Sequence, residues 1–187
     1  MVKLNRIYTR TGDAGSAGLV DGSRVSKSSA RMIAIGEVDE ANAAIGVAIA
    51  HLGKGDLADR LLRIQNEMFD AGADVATPGE IDGALRIVGE QVERLEREID
   101  AMNEKLGPLT SFILPSGSAA VASLHLARTV VRRAERAAVA LHAAEPLNPQ
   151  LLAYINRLSD HLFVAAREAA AAEGGDTLWQ PGATRGA

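Results

Sequence analysis

The sequence predicts an all-α fold, a five-helix bundle running up and down. Three observations predict it. Five segments after residue 25 repeat apolar residues at spacings of three and four. Short clusters rich in Gly, Pro, Asn and Asp separate those segments. No stretch alternates apolar and polar residues as a half-buried strand would, and no repeat of about 20–50 residues occurs.

The first element is a loop rather than a helix. "RIYTRTGDAGSAGLVDGSRVSK", Arg6 to Lys27, carries Gly12, Gly15 and Gly18, hydroxyls on Thr9, Thr11 and Ser16, and little to fill a core. Such a loop can turn several backbone N–H groups toward one anion. A glycine-rich N-terminus is more often a flexible tail, but the polar ending "DGSRVSK" argues against that here. A serine just ahead of the first helix can cap it. Lys27 then sits at a helix start, where the macrodipole disfavours a cation unless an anion lies nearby.

The helices follow. The first, about 26–52, places Met32, Ile35, Val38, Ile45 and Ile49 at helical spacings. The second, about 57–75, repeats Leu61, Ile64, Met68 and Ala71, and the third, about 87–106, has Val88, Val92, Leu95, Ile99 and Met102. The fourth, about 118–144, carries Leu124, Ala127, Val131, Ala134, Ala138 and Leu141, and the fifth, about 149–173, has Leu151, Ile155, Leu158, Leu162 and Ala165. "LGKGD", "ATPGEIDG", "LGPLTSFILPSGS" and "EPLNP" punctuate them. A helix of about 26 residues spans about 40 Å, so helices of this kind joined by short loops suit an antiparallel bundle. The chain is expected to be one domain, with a loop over 1–25, a bundle over 26–175 and a tail over 176–187.

Composition excludes several classes. Aromatics are 3% of the 187 residues against 47% hydrophobic, so the core is aliphatic and closely packed. The net charge of −4 offers no electrostatic reason to bind nucleic acid. No apolar run of about 18 residues suggests a membrane span, and no apolar leader opens the chain. Without cysteine there is neither a disulfide nor a thiolate metal site, which suits the cytoplasm. A di-iron bundle needs Glu-x-x-His pairs, and none of His51, His125, His142 and His161 has a Glu three residues before it. His125 and His161 can face a cavity, though a lone helical His is more often a surface or satisfied core residue. The familiar phosphate-binding signatures are missing as well.

The charged residues form blocks. In "LHLARTVVRRAER", Arg128, Arg132, Glu135 and Arg136 share one side of a helix. In "YINRLSDHLFVAAR", Asn156 and Asp160 share a face, with Arg167 two turns on. "GEVDEAN" puts Glu37, Asp39 and Glu40 on an otherwise small and apolar helix. Taken singly, each stripe reads as a solvated face laced with ion pairs. Three arginines beside a carboxylate are also suited to gripping a polyphosphate bidentately.

These blocks, "YTRTGDAGS" through "DGSRVSK" and "GEVDEAN", then "FILPSGS", "LHLARTVVRRAER", "YINRLSDHLFVAAR" and "WQPG", stand in an order that resembles the PduO-type ATP:cob(I)alamin adenosyltransferases over nearly the whole chain. The resemblance implies a five-helix bundle working as a homotrimer, with active sites between subunits. It implies transfer of the 5′-deoxyadenosyl group of ATP to the cobalt of cob(I)alamin, releasing triphosphate and forming adenosylcobalamin. By motif, Thr9, Arg10, Thr11, Gly12, Asp13, Gly15, Ser16 and Lys27 fall where the family binds the triphosphate. Arg132, Arg133, Glu135 and Arg136 belong to its nucleotide-binding block, with Asn156 from "NRLSD". Phe112 matches the phenylalanine lining the corrin site, and Asp39 and Arg128 match an ion pair between the first and fourth helices.

That parts list makes physical sense. Co(I) is itself the nucleophile, so the protein must hold C5′ near cobalt and neutralise the departing triphosphate. Mg²⁺ is expected on the phosphates, and an apolar Phe112 would exclude water and the lower axial ligand. The implied partners are a B12-dependent mutase and a flavin reductant. The chain departs from the family pattern at Ala14 and Ala17, where a lysine and a threonine often stand. Those losses leave a second reading open: an adenosylcobalamin carrier with weak turnover.

Overall fold

The structure, a computed structural model, describes residues 7–185. The outer ends of the expected loop and tail, 1–6 and 186–187, lie outside the described residues. Five helices dominate: α1 Ala30–Leu52, α2 Asp56–Val75, α3 Gly89–Asn103, α4 Ala119–His142 and α5 Pro149–Ala171. Ahead of them lie two strands of three residues each, β1 Ser16–Gly18 and β2 Arg24–Ser26. They pair antiparallel with Ala17 opposite Val25. The all-α expectation therefore holds for the body, and the N-terminal loop is a small hairpin.

The helix starts are written in the side chains. Ser29 accepts a hydrogen bond from Met32 N at 3.3 Å, and Ser118 accepts from Val121 N at 3.3 Å. Asn148 accepts from Gln150 N at 3.1 Å, with Pro149 at the first helical position. The first helix was expected from Ser26, but that residue pairs in β2, so helix begins only after the Ser29 cap. The third was expected from Ile87. Ile87 N instead donates to the Asp74 carboxylate at 2.9 Å, and Val88 stays extended, delaying the helix to Gly89.

Packing follows the small residues. Ala34, Ala41 and Ala48 recur every seven positions on α1 and are fully buried, as are Ala127, Ala134 and Ala138 on α4. Small side chains at a contact bring helix axes closer, and α1 packs more extensively on α4 than any other pair of elements. α5 lies against α4 and α3, and α2 against α1. Leu61, Ile64, Leu95, Leu124, Leu151 and Ile155 fill the shared core. The buried Tyr154 hydroxyl donates to Glu67 at 2.8 Å, and Glu67 in turn holds Arg94 of α3. Among the described residues no helix is long and apolar enough to cross a membrane.

Candidate functional site

The N-terminal segment is tightly organised for a loop with no core. Arg24 of β2 is the reason. Its Nη2 donates to Thr11 O at 2.7 Å and to Ser16 Oγ at 2.9 Å, tying the glycine-rich turn to the hairpin. Thr9 and Thr11 hydroxyls meet at 2.9 Å, and Lys27 N donates to Gly15 O at 2.9 Å. Gly15 sits at φ 82°, in the left-handed region that favours glycine. Gly12 has a different requirement: a Cβ there would lie 3.1 Å from Lys27 Nζ. The lysine head therefore closes over the turn formed by Gly12, Asp13 and Gly15, where the sequence expects phosphate.

Arg10 is left-handed as well, at φ 61°, with its guanidinium 5.6 Å from the centre of the Tyr8 ring. A non-glycine residue in that region is strained by about 1–3 kcal/mol. The segment bonds back to the body through Val20 N, which donates to Ala76 O at 3.2 Å. Thr9, Arg10, Thr11, Asp13 and Lys27 are all exposed.

A second group forms on α4 and α5. Asn156 Nδ2 donates to Glu135 Oε1 at 2.7 Å, bringing together the two blocks expected to hold the nucleotide. Arg136 donates to Arg132 O at 3.1 Å. The Arg132 guanidinium is exposed and makes no ion pair among the described residues. Arg133 departs from expectation. It is held by Glu37 and Glu40 of α1, and those two carboxylates keep its guanidinium well above the usual range.

The expected pair of Asp39 and Arg128 joins α1 to α4. Within the chain it does not form among the described residues. Glu37 and Glu40, three apart, share the face of α1 that meets Arg133, whereas Asp39 is exposed. Arg128 lies five residues before Arg133, about 140° round the helix. Its Nε is buried without a partner, and burial together with the nearby Arg132 lowers its guanidinium below the ordinary value. Nor does any hydrogen bond or ion pair among the described residues join 7–27 to α4.

The third component is a cavity of about 650 Å³ whose lining includes Phe112, His125, Arg128, Phe163 and Trp179. Phe112 is 77% exposed, so it is no core residue despite being one of only three phenylalanines. Its ring stands 6.1 Å from Trp179. The segment bearing it is pinned by the tail: Trp179 N donates to Phe112 O at 2.7 Å, and Leu114 N donates to Thr177 O at 2.8 Å. Arg167 secures the strap from below, with Nε 3.0 Å from Asp176 Oδ2 and Nη2 2.8 Å from Gly107 O.

Sequence reasoning missed Arg24 and the Arg167–Asp176 clamp, whose partners lie in irregular segments. Of the two cavity candidates, His161 is a core residue whose Nε2 donates to the Glu98 carboxylate at 2.8 Å, while His125 does line the cavity. Among the described residues no cluster of three or more His, Asp or Glu is arranged to hold a metal ion.

The chain is similar to known proteins along nearly its whole length. The sequence model of the family described as Cobalamin adenosyltransferase matches residues 7–169. A corrinoid adenosyltransferase of Mycobacterium tuberculosis is 52% identical, covering 98% of this chain and 97% of that protein. The corrinoid adenosyltransferase of Bacillus subtilis is 44% identical over 94% of this chain and 92% of its own length. Among solved structures, a phenylalanine-to-histidine variant of the PduO-type ATP:corrinoid adenosyltransferase from Lactobacillus reuteri, complexed with cobalamin and ATP, superimposes with a TM-score of 0.89. It is 36% identical, and the match covers 94% of this chain and 97% of that one. With a family model matching residues 7–169, and a relative 52% identical over 97% of its length, the chain belongs to the cobalamin adenosyltransferase family.

Proposed function

We propose that the protein transfers the 5′-deoxyadenosyl group of ATP to the cobalt of cob(I)alamin, giving adenosylcobalamin and triphosphate. The observation that carries this reading is Phe112. A 77% exposed aromatic, held in place by a backbone bond from Trp179, walls an open cavity in a chain related to proteins solved with cobalamin and ATP.

The chemistry divides the labour. Co(I) donates an electron pair to C5′, the Co–C bond forms as C5′–O breaks, and the pair from that bond leaves on the triphosphate. The protein supplies no nucleophile. Thr9, Thr11, Ser16, the amides near Gly12 and Gly15, Asp13 acting through a bound cation, Arg10 and Lys27 form the triphosphate cradle. Arg132 and Arg136, with Glu135 and Asn156 holding the nucleoside end, neutralise charge as it develops. Arg133 braces α4 against α1. With no three-ligand metal cluster among the described residues, Mg²⁺ would be held chiefly by ATP phosphate oxygens, adding charge neutralisation there.

Among the described residues the loop and α4 share no bond within one chain, and Ile33 and Val47 on α1 with Leu126 on α4 are exposed apolar residues. These features support a homotrimer in which one subunit's loop covers the neighbour's α4, with Asp39 free to meet Arg128 across that boundary. We assign the chain one domain, work in the cytoplasm, a flavin reductant upstream and a B12-dependent mutase downstream.

The reading is tested anaerobically by following loss of cob(I)alamin absorbance with ATP. Turnover is expected; tight product binding without turnover would favour the carrier reading that Ala14 and Ala17 raise. Subunit sharing has its own test. Lys27→Ala and Arg132→Ala trimers, each inactive, should regain part of the activity after subunit exchange. Exchange seen by mass spectrometry with no recovery would argue for sites contained in one chain.

Phe112→Ala tests the apolar wall. The exposure of its ring predicts a melting temperature within a few degrees of wild type, unlike the about 3–5 kcal/mol lost on truncating a core phenylalanine. Activity from cob(II)alamin with a reductase is expected to fall about tenfold more than activity from pre-reduced cob(I)alamin, since the wall acts by excluding the lower ligand. Equal losses from both cobalt states would remove that role.

A further inference from the structure

The cavity beside Phe112 is mostly apolar, yet one of its walls holds a polar group with nothing to bond. His125 is 2% exposed, and neither Nδ1 nor Nε2 has a hydrogen-bond partner in the protein. Its ring is held edge-on to Phe163 at 6.5 Å. One turn along α4, Arg128 lines the same cavity, and its buried Nε is also unpartnered. Buried polar groups in folded proteins are nearly always bonded, and leaving them bare is costly. Two such groups, side by side on one helix and lining one cavity, mark a place where a ligand completes the bonding.

We propose that His125, with Arg128 Nε beside it, is a specificity-determining residue that hydrogen-bonds a peripheral carboxamide of the corrinoid. This rests on the reading that the cavity takes the corrinoid.

The chemistry selects the group. Burial, and then the Arg128 charge, lower the His125 ring below its ordinary value, against a smaller opposite pull from Asp176, so the imidazole is neutral near pH 7. A neutral imidazole offers one donor and one acceptor, and Arg128 Nε adds a donor. One primary carboxamide matches the facing part of that set, its carbonyl accepting from Arg128 Nε and its N–H donating to the imidazole acceptor. A carboxylate does not, because it has no hydrogen for the imidazole acceptor. A site built to bond such a group rejects an analogue that lacks it, because its own buried atoms are then left bare.

The experiment uses the only tryptophan, Trp179, which lines the same cavity, as a fluorescence reporter of corrinoid binding to the full-length protein. The probes are cob(II)alamin and its monocarboxylic acids, in each of which one peripheral carboxamide is hydrolysed. Wild type is expected to bind at least one of these acids about tenfold more weakly than cob(II)alamin. His125→Leu should weaken cob(II)alamin about tenfold and bind that acid and the amide alike, while His125→Gln restores part of the discrimination. ATP affinity should stay within about twofold. The melting temperature of His125→Leu should be no lower than wild type, because the change removes two unpartnered polar atoms. Unchanged cob(II)alamin affinity in His125→Leu, or equal discrimination in wild type and variant, would overturn the proposal. A fall in melting temperature with equal loss for ATP and corrinoid would also overturn it, making His125 a packing residue. Failure of wild type to bind any corrinoid is a separate result, and it would overturn the adenosyltransfer reading itself.

Discussion

Arg132→Ala is expected to slow adenosyl transfer by at least about 10²-fold with the fold intact. Arg132 is exposed on α4 and makes no ion pair among the described residues, so its removal strands no buried partner and opens no cavity. Its neighbours are otherwise engaged: Arg133 is held by Glu37 and Glu40, and Arg128 is partly buried in the cavity wall. Among the described residues Arg132, with Arg136 one turn on, is therefore an exposed cation outside the ion pairs and placed to meet charge building on the leaving triphosphate. A charge-assisted contact realised in the transition state is worth about 3–4 kcal/mol, which corresponds to that rate loss. The measurement is kcat and KM for ATP alongside a melting curve. Near-normal kcat in a folded variant would take Arg132 out of the site. Arg132→Lys should recover only part of the loss, since an ammonium cannot grip two phosphate oxygens in a planar fork.

Asp74→Ala should have the largest effect on stability, about 3–5 kcal/mol. Asp74 is fully buried at the end of α2. Its Oδ1 accepts from Arg86 Nη1 at 2.7 Å, and its Oδ2 accepts from Ile87 N at 2.9 Å and Asn148 Nδ2 at 2.7 Å. One carboxylate thus joins the end of α2, the approach to α3 and the cap of α5. Alanine leaves Ile87 N without its acceptor and removes the countercharge of the Arg86 guanidinium, which keeps only backbone carbonyls of Asp74, Thr77 and Gly79, while Asn148 keeps only Ile87 O. In a chain of this size the melting temperature should drop about 10 °C or more. Adding Arg86→Ala should cost less than the sum of the single changes, because the stranded charge is then gone. Full additivity would mean that the pair is not coupled. The same corner carries Ala76 O, the acceptor for Val20 of the N-terminal segment, so KM for ATP should rise with the loss of stability.

Helix positions were legible in the sequence because burial leaves a direct trace there. Of the residues that predicted α1, Val38 and Ile45 are buried and Met32, Ile35 and Ile49 half-buried, with Ala34, Ala41 and Ala48 completing the buried face. Ser118 and Pro149 marked helix starts for reasons confined to a few neighbouring atoms. The hairpin was not legible: strands of three residues are too short for alternation to stand out, and none of their residues is buried. The site was legible only in part. The Glu135–Asn156 bond joins two motifs that could be read separately, and Phe112 could be singled out by its motif but not by its burial. Arg24 looked like one more cation in a polar loop until its bonds to Thr11 and Ser16 were seen.

By itself, then, the sequence determined the helices and their caps, since these depend on periodicity and short-range chemistry, while the residues expected to meet the triphosphate followed only from the resemblance of their motifs to the family. Only the tertiary structure decided that Arg133 faces the α1 carboxylates while Arg128 turns to the cavity, that the tail straps the Phe112 segment, and that His125 is buried with both nitrogens bare. Those outcomes depend on how far each helix is rotated against its neighbours. On adjacent helices of similar composition, a rotation of about 100° per residue separates a solvated arginine from a buried one, and packing of the whole core sets that rotation.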